Sequence, residues 1–370
     1  MSGNKKNKVL CVVGARPNFI KIAPLLEEFK KYPKFKPILV HTGQHYDYEM
    51  SEVFFKDLNI PKPNYNLGIG SGSQAEQTGK VMMEFEKVCL KENPNLVIVV
   101  GDVNSTLAAA LVAVKLNIPV AHIEAGLRSS DRAMPEEINR ILTDQIADYL
   151  FVSDSAGVEN LKREGINKKK IFYVGNIIID TLRKSKVKSQ KSKILKKFNL
   201  KKKNYAVLTL HRPSNVDNKK IFGKIINILN KIQEKIRIIL LLHPRTKKQI
   251  EVFGFKNKID KLKNICFSEP IGYIDMLALM SNASLVMTDS GGIQEETTVL
   301  KIPCLTLREN TERPITVKVG TNIIVNRDKN KILKQVNKIL SGQSKKGKIP
   351  KHWDGRTAKR IVRILCLSRH

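Results

Sequence analysis

Short apolar runs rich in Val, Ile and Leu alternate along this chain with longer stretches whose apolar positions recur at helical spacing. The first pattern predicts strands buried on both faces and the second amphipathic helices; their alternation predicts a parallel α/β architecture. In the first half the strand runs are "KVLCVVG", "KPILVHT", "NLVIVVG", "IPVAHIE", "DYLFVS" and "KIFYVG", and in the second "YAVLTL", "RIILLLH", "NICFS", "SLVMTD" and "IPCLTL". Helices are predicted between them, for example over residues 19–30, 105–116, 137–147 and 218–231. The lysine-rich segment "RKSKVKSQKSKILKKFNLKKK" near residue 184 separates the two sets, which predicts two doubly wound domains. Almost every predicted strand runs into a residue with chemistry in it. Arg16 follows the first, Gln44 and His45 the second, and Asp102 and Glu124 later ones; His211, His243 and Asp289-Ser290 do so in the second half. Open parallel sheets bind ligands outside the carboxyl ends of their strands. Two such edges facing each other would enclose one inter-domain cleft.

Composition changes this picture little. At 370 residues, with 42% apolar and 27% charged side chains, the chain has the makeup of a globular protein of two domains. No apolar run approaches the roughly 18 residues that span a bilayer, so no membrane partner is expected. The basic-then-apolar N-terminus has an apolar core of only about seven residues that runs into Gly-Ala-Arg-Pro, which predicts a first strand and not a leader. Cys11, Cys89, Cys266, Cys304 and Cys366 are scattered without metal-ligand spacing, as expected of reduced thiols in the cytoplasm. The net charge, 66 − 34 = +32, raises a nucleic-acid reading. Lysine is spread everywhere beside abundant Ile and Asn, as a genome-wide bias gives, and the densest basic run lacks an aromatic platform. A binding module for nucleic acid would also leave the strand-end residues unexplained.

The stretch "TDSGGIQEETT" (288–298) carries the most informative chemistry. Gly291 and Gly292 at a helix start let backbone N–H groups approach an anion, which the positive helix end also favours. Glu295 or Glu296 can lean back toward that ligand and accept hydrogen bonds from hydroxyls beside it. A sugar attached to a phosphate meets both demands; a Ser N-cap followed by first-turn acids fits the spacing equally well. Arg308 and Arg313 in "RENTERP" tip the balance toward a diphosphate. "VGARPNFIK" places Arg16 and Lys21 around another helix start, suited to a phosphate or a departing anion. Asp102, Glu124, Glu136 and Glu137 are each readable as caps or first-turn acids, yet together they suit proton transfer beside a leaving diphosphate. His211 and His243 are donors for phosphate oxygens. No His/Asp cluster has metal-ligand spacing, so no metal is expected.

The motifs "GARPNFIK", "HTGQHYD", "GDVNSTLA", "HIEAGLRS", "MPEEINR", "VGNIIID", "TLHRPSNVD", "TDSGGIQEET" and "TERP", in this order from Val9 to about Val325, resemble those of the non-hydrolysing UDP-N-acetylglucosamine 2-epimerases. The resemblance implies a GT-B-type fold of two Rossmann-like domains. The first would span 1–183 and be completed by a C-terminal helix within 355–370; the second, on the UDP side, would span 184–354. It implies a homodimer that uses neither metal nor nicotinamide and no other cofactor. The reaction it implies is reversible epimerisation at C2 of UDP-N-acetylglucosamine, by anti elimination of UDP to 2-acetamidoglucal and re-addition. Asp102, Glu124 and Glu136 are then the acid/base residues. Arg16, His211 and Arg313 would stabilise the leaving anion, with Lys21 in the matching phosphate-side motif. Ser290, Gly291 and Gly292 would hold the diphosphate and Glu296 the ribose. Gln44 and His243 map onto a pocket where bacterial members bind a second substrate molecule as activator. The chain departs from the pattern at Asn18, where many bacterial members carry Glu, at Ser214-Asn215, where a Glu is frequent, and at Asp47, where that pocket has a Gln. Related enzymes act on UDP-2,3-diacetamido-glucuronate. A GT-B glycosyltransferase would share the nucleotide site but need an acceptor pocket, and a hydrolysing epimerase usually has a different N-terminal motif.

Overall fold

The computed structural model describes residues 6–43, 57–190 and 192–367, the side chains of Arg16, Val187 and Lys188 excepted. The chain divides into two compact units, Met1–Arg183 with Lys351–His370, and Lys184–Pro350. Each unit carries one all-parallel sheet with helices on it.

In the first unit seven strands lie in the order β3-β2-β1-β4-β5-β6-β7. They are β1 (Asn7–Val13), β2 (Phe35–His41), β3 (Tyr65–Asn66), β4 (Leu96–Val100), β5 (Val120–Ala125), β6 (Tyr149–Val152) and β7 (Ile171–Tyr173). The helices that matter here are α1 (Arg16–Phe29), α2 (Gln74–Glu92), α3 (Asn104–Lys115) and α4 (Pro135–Ile146). Because side chains alternate across a strand, β1 feeds two cores at once. Val9, Cys11 and Val13 pack with Phe19, Ile22 and Leu25 of α1, whereas Leu10 and Val12 pack with Phe85 and Val88 of α2 and Ala109 and Ala113 of α3. Burial on both faces is why these strands read as continuous apolar runs.

The C-terminal helix, Thr357–Leu367, belongs to this first unit and adds Ala358, Ile361, Val362 and Leu365 to the core that α1 lines. Its start is capped from a distant part of the chain. The Asp180 carboxylate accepts hydrogen bonds from the backbone N–H groups of Thr357 (3.1 Å) and Ala358 (2.9 Å). Just before it, the buried Trp353 donates from Nε1 to the Ser153 carbonyl at 3.0 Å.

The second unit has six strands in the order β10-β9-β8-β11-β12-β13: β8 (Tyr205–Leu210), β9 (Arg237–Leu242), β10 (Ile265–Ser268), β11 (Leu285–Thr288), β12 (Cys304–Thr306) and β13 (Asn322–Ile324). Its helices include α5 (Lys219–Gln233), α6 (Pro244–Val252), α7 (Tyr273–Asn282) and α8 (Gly291–Leu300). Ala206, Leu208 and Leu210 of β8 pack against Phe222, Ile225, Leu229 and Ile232 of α5.

All eleven predicted strand runs are strands. β3 and β13 were not anticipated; at two and three residues they are too short to show a period. In both sheets the strand order reverses beside the unit's first strand, between β1 and β4 and between β8 and β11. That reversal is the switch point at which doubly wound sheets take their ligands. Among the described residues, no helix is long and apolar enough to cross a membrane.

Candidate active site

In the first unit the site is built at the carboxyl ends of β1, β4 and β5. Asn18, in the first turn of α1, fixes the turn after β1. Its Oδ1 accepts from the N–H groups of Gly14 (3.2 Å) and Ala15 (2.9 Å), and its Nδ2 donates to the Val100 carbonyl at the end of β4 (2.9 Å). The departure from the family's Glu at this position is thus a clamp between neighbouring strand ends. Three residues on, the nearly buried Lys21 ammonium pairs with the nearly buried Glu124 carboxylate at 2.6 Å. A Cβ on Gly101 would stand only 3.2 Å from Lys21 Nζ, so glycine there leaves room for the ammonium.

Glu124 is a non-glycine residue with φ +73°, and the β5–β6 register shifts between Ile123 and Ala125. This bulge re-aims the Glu124 side chain, a use to which bulges beside active sites are commonly put. Asp102 is partly exposed, and its carboxylate lies 3.2 Å from Arg140 Nε. Asn139 donates to the Asp102 carbonyl at 3.0 Å, so two residues of α4 hold the turn after β4. Glu136, in the first turn of α4, is half-buried. Its neighbour Glu137 is buried and spent on structure. It takes the Ser129 and Ser130 N–H groups and pairs with Arg140 at 2.7 Å. The structure therefore joins Lys21 to Glu124 and Asp102 to α4. The Arg16 side chain and Gln44 lie outside the described residues.

In the second unit the candidates gather at the ends of β8 and β11. Asp289, fully buried, accepts from the backbone N–H of His211 (3.0 Å) and Arg212 (2.9 Å) and from Asn215 Nδ2 (3.1 Å), and meets His211 Nδ1 at 2.8 Å. Burial works to raise this carboxyl, but the His211 hydrogen bond and charge together with the two N–H donors outweigh it and hold it at about 2. A charged Asp289 fixes Nδ1 of His211 as the donor. Asn215, in the loop where the Ser214-Asn215 pair departs from the family pattern, donates also to the Leu307 carbonyl at 2.9 Å and so secures this loop. The His243 ring lies 5.4 Å from that of His211, and its Nδ1 caps α6 through the Arg245 N–H at 3.2 Å.

Ser290 stands at the N-cap position of α8, yet its hydroxyl makes no capping hydrogen bond, and no acid occupies the first turn. The capping interpretation of this stretch is thereby set aside, and the first-turn N–H groups of Gly291 and Gly292 have no serine cap. Glu295 pairs with Arg313 at 2.9 Å. Arg308 pairs with Glu312 at 2.7 Å, and Arg212 reaches the same carboxylate at 3.4 Å. Burial works to raise the Glu312 carboxyl, but the charges of Arg308, Arg313 and Arg212 outweigh it and hold it at about 2. Three guanidinium groups and two carboxylates thus surround the glycine end of α8, where a Cβ on Gly291 would stand 2.8 Å from Glu312 Oε1. Glu296 has a different environment. Buried, with Tyr273 Oη donating to it at 2.8 Å, it is pushed up by burial to about 7, the tyrosine working the other way.

The sequence profile of the UDP-N-acetylglucosamine 2-epimerase family matches residues 27–366. The chain belongs to this family. It is 47% identical to the UDP-N-acetylglucosamine 2-epimerase of Methanocaldococcus jannaschii over 371 residues, covering 98% of this chain and 100% of that one. The crystal structure of the M. jannaschii enzyme in complex with UDP-GlcNAc and UDP superposes with a TM-score of 0.91, at 47% identity and with 98% and 100% of the two chains covered. The UDP-2,3-diacetamido-2,3-dideoxy-D-glucuronate 2-epimerase of Pseudomonas aeruginosa is 43% identical over 321 residues, 86% of this chain and 88% of its own. Sequence reasoning singled out none of His122, Asp144, Glu312 and Tyr273, buried groups that brace the candidate residues or their neighbours. One signal was available for Asp144. On α4 the positions of Glu137, Arg140, Thr143 and Asp144 share a face, and a polar face that is buried while Leu142 is exposed reverses the usual helix pattern.

Proposed function

We propose that this protein interconverts UDP-N-acetylglucosamine and UDP-N-acetylmannosamine by reversible epimerisation at C2. The observation that carries this is the placement of Lys21, Asp102 and Glu124, and of His211, Ser290, Gly291 and Gly292, at the carboxyl ends of parallel strands beside each sheet's switch point. The hydrogen at C2 of the sugar is too weakly acidic for simple removal and return. In an anti elimination a carboxylate takes that proton as the C1–O bond breaks, the C1=C2 bond forms and UDP leaves with the bonding pair. Protonation of C2 on the opposite face, with UDP adding back to C1, completes inversion and balances the proton. Asp102, Glu124 and Glu136 are the proton-transfer groups of this reading. The Lys21 ammonium, paired with Glu124 at 2.6 Å, holds that carboxylate in place. Ser290, the N–H groups of Gly291 and Gly292, and Arg313 hold the diphosphate, Glu296 takes the ribose hydroxyls, and Arg16 and His211 favour the departing anion. Gln44 and His243 are the contacts of an activating second UDP-sugar. The protein acts as a cytoplasmic homodimer supplying activated N-acetylmannosamine for polysaccharide synthesis. Five free thiols suit that compartment.

Proton NMR of the protein with UDP-N-acetylglucosamine in D2O tests the reaction. UDP-N-acetylmannosamine carrying deuterium at C2 is the expected product. Free N-acetylmannosamine accumulating with UDP would replace the reading by hydrolysis. The second reading, epimerisation of the diacetamido uronate, is favoured by the 43% identity to the P. aeruginosa enzyme and predicts turnover of that substrate alone.

A further inference from the structure

We propose that Asp144 and His122 form a clasp that positions the two carboxylates Glu124 and Asp102, and that both are positioning residues of this site. The inference rests on the epimerase reading for its kinetic consequence and on geometry for the clasp itself. Both side chains are fully buried, so neither meets substrate. Asp144 projects from α4, and its two carboxylate oxygens reach β5 on either side of Glu124. Oδ1 meets His122 Nδ1 at 2.7 Å, two residues before Glu124, and Oδ2 accepts the Gly126 N–H at 3.0 Å, two residues after it. One carboxylate thus staples the ends of the bulge on which Glu124 holds φ +73°. A backbone conformation this uncommon for a side chain with a Cβ persists only where its surroundings hold it.

The second arm reaches Asp102. His122 Nε2 lies 2.8 Å from the Gly101 carbonyl, and a carbonyl can only accept, so Nε2 donates. Gly101 in turn donates its own N–H to the Ile123 carbonyl at 3.0 Å. The peptide groups that lead into Asp102 are therefore gripped on both sides by β5. Arg128 adds a guanidinium 2.8 Å from Asp144 Oδ2. Burial works to raise the Asp144 carboxyl, but the His122 and Arg128 charges and the Gly126 N–H outweigh it and keep it ionised. Movement of this clasp shifts Glu124 and Asp102 together, and the contacts that build it are all made within the first unit.

Steady-state kinetics on the full chain with UDP-N-acetylglucosamine tests the proposal. Asp144→Ala and His122→Ala should lower kcat on the order of 10²-fold, the usual cost of displacing catalytic groups by about 1 Å, with KM and the Kd for UDP within about twofold. Asp144→Asn, which keeps an acceptor for Gly126, should recover part of the loss. Val88→Ala, a core truncation on α2, serves as the control: it should lower Tm and leave kcat in place. A kcat for Asp144→Ala within about threefold of wild type, or a loss that tracks Tm as in Val88→Ala, overturns the proposal. If Asp144→Ala does not fold, Asp144→Asn and His122→Asn carry the same comparison. Should the wild-type chain leave the substrate unchanged, the functional reading fails, and amide hydrogen exchange decides the clasp. Faster exchange at Gly126 in Asp144→Ala, or at Gly101 in His122→Asn if Asp144→Ala does not fold, supports it, and unchanged protection overturns it.

Discussion

Two carboxylates one position apart on α8 have opposite electrostatic fates. Glu295 is ion-paired with Arg313, whereas Glu296 has a tyrosine donor and a carboxyl raised by burial to about 7. A carboxyl whose folded pKa lies above its ordinary 4.5 contributes stability that is fully present below 4.5 and is lost as pH rises through about 7. Glu296→Gln removes that dependence. Its stability relative to wild type should therefore rise between pH 5 and 8, by at most about 3 kcal/mol, since one pKa unit is about 1.4 kcal/mol. Urea unfolding across that range measures it, and a difference that stays flat with pH would show that burial leaves the group at its ordinary value. In the proposed function ribose hydroxyls donate to Glu296 and would favour its charged form, so UDP should oppose the same loss. The glycine–acid spacing of the motif left Glu295 and Glu296 open, and the family resemblance pointed to Glu296. Neither could reach Tyr273, which comes from another helix.

At the scale of elements, the C-terminal helix contributes more than its length suggests. Its Ile361, Val362 and Leu365 are buried, each side chain stabilising by about 1.5–3 kcal/mol, and its first turn is capped by Asp180. That sum is comparable to the whole stability of a typical domain, about 5–15 kcal/mol. A chain ending at Pro350 should leave the first unit unfolded while the second, which lacks any part of this helix, keeps its fold. Limited proteolysis reads this directly, with a surviving fragment near Lys184–Pro350 expected; equal resistance of both units would refute the argument. The strands of both sheets were legible because each is apolar on both faces and ends in a polar residue. β3 and β13 were not, because pairing with a neighbouring strand and not their own pattern makes them strands.

At the scale of the whole molecule, one face of the first unit carries unusual apolar exposure. α2 packs beside α3 and α3 beside α4. Met83 (59% exposed), Leu90 (67%), Val114 (37%) and Leu142 (45%) lie on these three helices. Met83 and Leu90 are seven apart and share one face of α2. Apolar side chains that remain exposed after a helix has packed favour an interface, and the homodimer of the proposed function is expected to form through these helices. Met83→Glu together with Leu142→Glu should convert a dimer to a monomer, raising the dissociation constant at least about 100-fold, or about 2.7 kcal/mol. Light scattering during size-exclusion chromatography measures it, and a wild-type chain that elutes as a monomer would end the assignment.

The sequence by itself determined eleven of the described strands, their parallel α/β character in two sets and the positions where chemistry would appear, because burial on both faces and polar strand ends are written locally. The family was legible for the same reason: its motifs are the loops that follow those strands. Tertiary structure alone decided the surroundings of each of two adjacent acids. Successive residues on a helix point about 100° apart, so Glu136 and Glu137, or Glu295 and Glu296, are equivalent in sequence and unlike in surroundings. Glu137 is consumed by Arg140 and two backbone N–H groups, leaving Glu136 half-buried beside it. Asp144 looks like an ordinary helix residue until the fold sets it under the β5 bulge, with one oxygen on His122 and the other on Gly126. Such partners are fixed by how α4 packs on the sheet, and no local pattern encodes that distance.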